Sequence, residues 1–232
     1  MNRETYRLVE DYMLSCLRDS AHDREHIYRV LYAALDIANH EDLVNQDVLI
    51  CACLLHDVGR PAQAANPKLC HAAVGAEMAR AFLTEQGFGP AFAAQVADCV
   101  RAHRFRGQAT CGSIEAKILF DADKLDAIGA LGVARTLLYQ GQASEPLYTR
   151  LPDGTVCDGS GDAPASFFRE YRFKLQNLRG KLNTRRAREL ADARQDAAER
   201  FYRALLGEVR ALDESGPANL RRILEKGEPA GD

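Results

Sequence analysis

An apolar run near residue 50 ends in a histidine and an aspartate, at a point where burial makes polar groups costly. These two residues are His56 and Asp57. A buried imidazole or carboxylate destabilises a protein unless it is hydrogen-bonded, ion-paired or bound to a metal. Partners are available at distant positions, with His26 before the run and Asp121 or Asp123 after it. The fold must therefore bring distant segments together, and metal binding is the first hypothesis.

Apolar residues recur with a helical period through most of the chain. A clear example is the stripe formed by Ile27, Val30, Leu31, Ala34, Leu35 and Ala38. No stretch shows the alternation of apolar and polar residues that is typical of a half-exposed strand. We therefore predict an all-α fold, a compact multi-helix bundle with additional C-terminal helices.

Length and composition favour one domain. The chain has 232 residues, of which 47% are hydrophobic, so it can bury a sizeable core. We predict a single helical domain over residues 1–212, with additional helices at about 165–212 and a flexible tail at 213–232. Pro61 to Lys68 is predicted to be a loop. The longest irregular segment is 141–165, and we expect it to close loosely over the site, because long loops in compact domains are often functional.

Charge and composition also exclude several classes of partner. A net charge of −3 gives no electrostatic reason to expect nucleic-acid binding. No apolar run approaches the roughly 18 residues that span a bilayer, and the N-terminus lacks the apolar core of a secretory signal. The seven cysteines form no CxxC pair, which favours free thiols in a reducing cytoplasm. We therefore expect a cytoplasmic protein without a membrane partner.

Three segments, taken in order, resemble the HD-domain superfamily of metal-dependent phosphohydrolases, and in particular its small stand-alone bacterial members. The first segment reads HDREH and ends at His26, followed by Arg29-Val30; the second reads LLHDVGR and contains the His-Asp doublet that names the family. The third, EAKILFDADKLDA, covers 115–127. The resemblance extends over about residues 21–130, which would form the HD core.

The resemblance implies a divalent metal site. The residues that match the family's ligands are His26, His56, Asp57 and, as the fourth, Asp123. We favour Asp123 because the family's Ala-Asp-x-x-x-Ala pattern falls on Ala122 to Ala127. Asp121 would point roughly 200° away from it on a helix, whereas Asp126 would share its face. Mixed nitrogen and oxygen ligands suit Mn²⁺, Mg²⁺, Fe²⁺, Co²⁺, Ni²⁺ or Zn²⁺.

The resemblance also implies hydrolysis of a nucleotide or another small phosphate ester, by phosphatase, phosphodiesterase or nucleotide pyrophosphohydrolase chemistry. Water activated by the metal would attack phosphorus, and cationic groups would stabilise the developing charge. Asp57 and Asp126 are the candidates for the general base, with Asp126 alternatively contacting a ligand or the substrate. Lys124 and Arg60 are the candidate cations. The predicted substrate-binding residues are Arg60, His103, His22 and Lys174.

The number of metal ions depends on His71 and His103, which lie between the doublet and the third segment. Some HD proteins carry histidines in this region that hold a second metal. We predict a mononuclear site, with His103 contacting the substrate.

Two alternative functions use the same fold. An HD oxygenase with two irons would need both His71 and His103 as ligands, and a nucleotide-binding sensor would need no catalysis. A zinc-protease interpretation of His22 and His26 is disfavoured because Asp23 stands where HExxH has its glutamate. A homo-oligomer is compatible with the phosphohydrolase and with both alternatives.

Overall fold

A computed structural model describes residues 1–17, 24–104, 112–161 and 164–227. Within these segments the regular elements are helices, apart from one isolated antiparallel bridge between Arg150 and Val156. The all-α prediction is confirmed. The helices are α1 (Arg3–Cys16), α2 (Arg24–Ala38), α3 (Gln46–Leu55), α4 (Arg60–Ala65), α5 (His71–Glu85), α6 (Pro90–Ala102), α7 (Ile114–Leu125), α8 (Gly129–Gln142), α9 (Phe167–Phe173) and α10 (Arg185–Gly227), with short 3₁₀ helices at Leu175–Asn177 and Arg179–Lys181.

The helices form two compact units. The first contains Met1–Asp126 together with Lys181–Leu190, and the second contains Ala127–Gly180 together with the chain from Ala191 onward. The sequence predicts one domain over residues 1–212, and no Gly/Pro-rich linker marks a boundary near residue 126. The segment at 141–165 belongs to the second unit, and its closure over a site stays a prediction.

Helix α3 is the central element of the first unit. Helices α1, α2, α5, α6 and α7 all pack against it. Seven of its ten residues are buried, because a helix enclosed on all sides can be apolar around its whole circumference. Its N-terminus is capped by Asn45, whose side-chain oxygen accepts a hydrogen bond from the Val48 backbone N–H. The apolar run of the sequence is thus the core of this unit, and it ends at His56.

The chain turns sharply after α3 and enters α4, a short helix within the segment predicted to be a loop. Pro61 lies in the first turn of α4, where its fixed φ favours the helical conformation. Gly59 permits a close approach to the start of α5. A Cβ atom at this position would lie 2.2 Å from the His71 carbonyl oxygen and 2.6 Å from the Gly75 nitrogen.

The last helix is longer than the sequence predicts. The sequence predicts a flexible tail from residue 213, but α10 continues to Gly227 with Pro217 inside it. Proline removes a backbone donor and normally kinks a helix. The residues after it are mainly leucine, arginine, isoleucine and glutamate, and leucine, arginine and glutamate are strong helix formers. The prediction based on glycine and proline content therefore ends this helix too early.

The cysteine and membrane predictions can be compared with the described residues. All six cysteines in these segments are free thiols, and Cys111 lies outside them. None of the helices there combines the length and apolarity needed to cross a bilayer.

Substitution of Gly59 by alanine is expected to destabilise the first unit. The added methyl group must displace backbone atoms of α5, so the free energy of unfolding should fall by about 2–4 kcal/mol. Urea denaturation measures this change. Gly207→Ala is the control, because that position lies within α10 and an added Cβ would have no atom within 4 Å apart from its chain neighbours and the backbone of its own helix. Equal stabilities of the two variants would contradict the steric interpretation.

Candidate metal centre

Five helices of the first unit bring six potential ligands together. The side chains come from the first turn of α2, the end of α3 and the turn after it, the start of α5, the end of α6, and α7. All are buried except the partly buried Asp123. They are His26, His56, Asp57, His71, His103 and Asp123.

The first group contains the four ligands that the resemblance implies. The Nε2 atom of His26 lies 3.4 Å from Nε2 of His56 and 3.4 Å from Oδ1 of Asp123. The Oδ2 atom of Asp57 is 3.8 Å from Nε2 of His26 and 3.7 Å from Nε2 of His56. Two imidazoles and two carboxylates therefore face one small volume.

The second group shares Asp57 with the first. The Nε2 atoms of His71 and His103 are 3.2 Å apart. The Oδ1 atom of Asp57 lies 3.5 Å from the former and 3.6 Å from the latter. Asp57 thus turns one carboxylate oxygen toward each histidine pair. The sequence predicts a mononuclear site without His71, although the order of the histidines indicates it as a possible ligand of a second metal.

The histidines present lone pairs to these two groups. A neutral imidazole has one N–H donor and one acceptor nitrogen, and the partner of one nitrogen fixes the state of the other. Each Nδ1 faces a hydrogen-bond acceptor and must therefore carry the proton. The acceptors are Asp126 Oδ2 for His26, the Cys53 carbonyl for His56, Gln63 Oε1 for His71 and the Val100 carbonyl for His103.

Burial keeps two of these imidazoles neutral near pH 7. Desolvation lowers the pKa of His56 to about 4. Desolvation, together with the nearby Arg60 guanidinium, lowers the pKa of His71 to about 3. Protonation of these imidazoles is therefore an unfavourable way to relieve the repulsion between the facing Nε2 lone pairs. A divalent cation satisfies them, because neutral imidazole is a good ligand for such ions.

The two carboxylates are ionised. Burial by itself raises the pKa of Asp57, but its polar surroundings, including the Arg60 guanidinium, outweigh burial and hold the pKa well below its usual value. Burial also raises the pKa of Asp123, but the Lys124 ammonium group beside it outweighs burial and holds this pKa well below its usual value as well. Both groups are therefore available as anionic ligands.

Cationic side chains lie beside these carboxylates. Arg60 Nε donates to Asp57 Oδ1 at 2.8 Å, and Lys124 Nζ donates to Asp123 Oδ2 at 2.6 Å and to the His103 carbonyl at 3.2 Å. Their side chains are 28% and 22% exposed. Each cation therefore adjoins a potential ligand and also reaches solvent.

Asp126 fixes the orientation of His26 through the Nδ1 atom of the ring. Its Oδ2 accepts from Nδ1 of His26 at 2.7 Å, and Arg29 Nε donates to its Oδ1 at 2.8 Å. Carboxylates that accept the outer N–H of a ligand histidine fix the ring orientation and increase its basicity. This contact fits a positioning role better than direct contact with the substrate.

Asp121 lies outside the cluster of candidate ligands and contacts the start of α10 instead. Its carboxylate accepts hydrogen bonds from the backbone N–H groups of Asn183 and Thr184 and from both of their side chains. These residues immediately precede α10, so the buried charge of Asp121 stabilises a helix N-terminus. Thr184 itself caps the helix by accepting from the Ala187 N–H.

Two predicted substrate-binding residues receive no support from these contacts. His22 lies outside the described residues. Lys174 belongs to the second unit and forms an ion pair with Glu170 at 2.6 Å, with 54% of its side chain exposed. Both assignments stay predictions.

Comparisons with known proteins identify the class. A profile of the HD domain matches residues 24–128. A predicted HD-superfamily hydrolase from an uncultured Thermotogales bacterium is 31% identical, with 89% of this chain and 91% of that one aligned and a TM-score of 0.57. A structure from Lactobacillus plantarum gives a TM-score of 0.71 at 26% identity, covering 90% of this chain and 99% of its own.

A curated relative extends over nearly the whole chain. The uncharacterized protein YpgQ of Bacillus subtilis (strain 168) is 29% identical over 211 residues, which cover 88% of this chain and 94% of YpgQ. The crystal structure of YpgQ in complex with ADP gives a TM-score of 0.70 at 27% identity, covering 90% of this chain and 97% of its own. Together these matches show that the chain belongs to the HD superfamily of hydrolases.

Asparagine substitutions should separate the roles of the two aspartates. Asp123→Asn is expected to lose bound metal at nearly unchanged stability, because it removes an anionic ligand from the cluster. Asp121→Asn should retain metal but lower the free energy of unfolding by about 2–4 kcal/mol, because an amide cannot satisfy all the donors around it. Metal analysis after dialysis and urea denaturation measure the two effects. Loss of metal from the Asp121 variant alone would reverse the assignment.

The stability of the metal-free protein should fall in acid because of His56. An unfolded histidine takes up a proton near pH 6.5, whereas folded His56 does so only near pH 4. The unfolded state therefore binds more protons between these values, and the free energy of unfolding decreases as pH falls from about 6.5 to about 4.

Urea denaturation at several pH values tests this dependence. His56→Gln should show a shallower decrease than the wild type. His40→Gln, at an exposed position, is the control variant. Equal slopes for all three proteins would exclude His56 as a source of the pH dependence.

Proposed function

We propose that this protein is a metal-dependent phosphohydrolase that acts on a nucleotide or another small phosphate ester. The observation that carries the proposal is the convergence of four imidazole Nε2 atoms and two ionised carboxylates in the first unit. The proposed ligands of one ion are His26, His56, Asp57 and Asp123.

The donor set is suited to divalent cations. The four histidine lone pairs supply borderline nitrogen ligands, and the two carboxylates supply oxygen and negative charge. This combination suits Mn²⁺, Fe²⁺, Co²⁺, Ni²⁺ or Zn²⁺ better than it suits Mg²⁺, which prefers sites rich in oxygen ligands. The second histidine pair has the same character and shares Asp57. We therefore extend the proposal to a second cation held by His71, His103 and Asp57, in place of the single ion that the sequence suggested.

A bound divalent cation lowers the pKa of water and polarises a phosphoryl oxygen. The protein groups have complementary roles in this proposal. Arg60 and Lys124 provide positive charge near the ligands and are partly exposed, so they can contact phosphoryl oxygens and stabilise charge that develops there. Asp57 is the candidate proton acceptor. Asp126 holds His26 in its orientation, and this role is preferred to that of general base.

Nucleotide specificity rests on the family and on one relative. The complex of YpgQ with ADP shows that a protein of similar sequence and fold binds a nucleoside diphosphate. The candidate site offers cations for phosphate groups, which fits a phosphorylated substrate of this kind. The choice among phosphatase, phosphodiesterase and pyrophosphohydrolase chemistry depends on which phosphorus atom is attacked, and the products identify it.

A second candidate is the oxygenase with two irons. The presence of His71 and His103 beside Asp57 favours it, because the ligands that such a site requires are brought together. The hydrolase relatives favour hydrolysis. Oxygen consumption and two tightly bound irons per chain, with no phosphate release from any ester, would establish the oxygenase. The sensor function requires neither reaction, and the complete set of donors argues against it.

A panel of nucleotides and phosphate esters tests the proposal. With added Mn²⁺, Co²⁺ or Ni²⁺, the wild type should release phosphate, pyrophosphate or a nucleoside monophosphate from at least one compound. Asp57→Ala should lower the rate at least about 1,000-fold, because that change removes the carboxylate shared by both groups of ligands. Asp11→Ala is the control, since Asp11 is an exposed carboxylate on α1. Equal rates for the Asp57 variant and the wild type would refute the assigned site.

A further inference from the structure

The short helix α4 carries a glutamine that contacts one of the candidate ligands. Oε1 of Gln63 lies 2.8 Å from Nδ1 of His71, and its Nε2 donates to the Leu69 carbonyl at 2.9 Å. We propose that Gln63 is a positioning residue that fixes His71 with its Nε2 lone pair toward Asp57 and His103, and thereby sets the affinity of a second cation. This inference rests on the metal site of the proposed function.

The orientation of the Gln63 amide is determined by the Leu69 carbonyl. A carbonyl oxygen only accepts hydrogen bonds, so the amide group that faces it must be the NH₂. The opposite orientation would place two oxygens against each other. The oxygen of Gln63 therefore faces His71, and Nδ1 of that histidine must be the donor. Its Nε2 is left as an acceptor, 3.2 Å from Nε2 of His103 and 3.5 Å from Oδ1 of Asp57.

The position of His71 in its helix explains why it needs a side-chain partner. His56 and His103 follow the last turns of α3 and α6, and each donates to a carbonyl three residues earlier. His71 is the first residue of α5, so no preceding helical turn offers it a carbonyl. Helix α4 supplies the missing acceptor through Gln63, eight residues earlier in the chain.

The contact acts selectively on the second group of ligands. Gln63 contacts His71, while the three other histidines have their own acceptors on Cys53, Val100 and Asp126. Loss of Gln63 would let the His71 ring rotate or place its proton on Nε2, which cannot then bind a cation. Outer partners of this kind typically change metal affinity by about 10–100-fold.

Titration of the full-length protein with Mn²⁺, followed by calorimetry, tests the inference. The wild type should bind two ions. Gln63→Leu should bind the first ion with unchanged affinity and the second about 10–100-fold more weakly. Gln63→Glu should bind the second ion more tightly than Gln63→Leu, because a carboxylate oxygen again accepts from Nδ1, although its other oxygen loses the hydrogen bond to the Leu69 carbonyl. Gln95→Leu is the matched control, since Gln95 is an exposed glutamine on α6.

A second measurement reports on the imidazole itself. Nitrogen-15 NMR of the metal-free protein should show His71 protonated at Nδ1 in the wild type and in the Gln63→Glu protein. The Gln63→Leu protein should show a population protonated at Nε2. If the glutamine had a purely structural role, the second-ion affinity would not follow the position of the His71 proton, nor would its loss be separate from that of the first-ion affinity.

The outcomes separate the two proposals. Unchanged second-ion affinity in Gln63→Leu, equal weakening of both ions, or fewer than two ions in the wild type would overturn the role of Gln63. Binding of two ions with the expected variant pattern, but no hydrolysis of any phosphate ester, would support Gln63 and overturn the phosphohydrolase function.

Discussion

Helix α3 is enclosed by five other helices, and its C-terminal end places His56 and Asp57 in the interior of the first unit. Neither side chain has appreciable access to water, so their polar atoms require partners from the protein or from a bound ion. The Cys53 carbonyl satisfies one imidazole nitrogen, and Arg60 satisfies one carboxylate oxygen in part. The remaining requirement explains why histidines and a carboxylate from α2, α5, α6 and α7 surround this point.

The four histidines meet this requirement in one common way. Each has Nδ1 anchored to an oxygen, which leaves Nε2 without a proton and directed at the shared volume. Anchoring to fixed acceptors limits ring rotation, so these candidate ligands are preorganised for a cation. The negative charge of Asp57 and Asp123 is balanced by Arg60 and Lys124, which remain partly exposed. Under the proposed function, one arrangement would serve both cation binding and phosphate binding.

Helix α7 shows how neighbouring aspartates acquire different roles. Asp121 stabilises the start of α10, Asp123 faces the candidate metal ligands, and Asp126 orients His26. Their chemistry is identical, and their spacing on the helix sends them to different partners. Asp123 and Asp126 lie three residues apart and contact the same histidine, while Asp121 points elsewhere. A separation of three residues places two side chains on one face of a helix, whereas a separation of two does not.

The amino-acid sequence is sufficient to predict the helical class, the buried run at α3 and the order of the segments that carry the candidate ligands, because these depend on the local period of apolar residues and on short motifs. It did not determine the helix at Arg60–Ala65, which is too short to show a period, or the continuation of α10 past Pro217. Only the tertiary structure placed His71 opposite His103 and Gln63 behind it, because such contacts depend on how distant helices pack against one another.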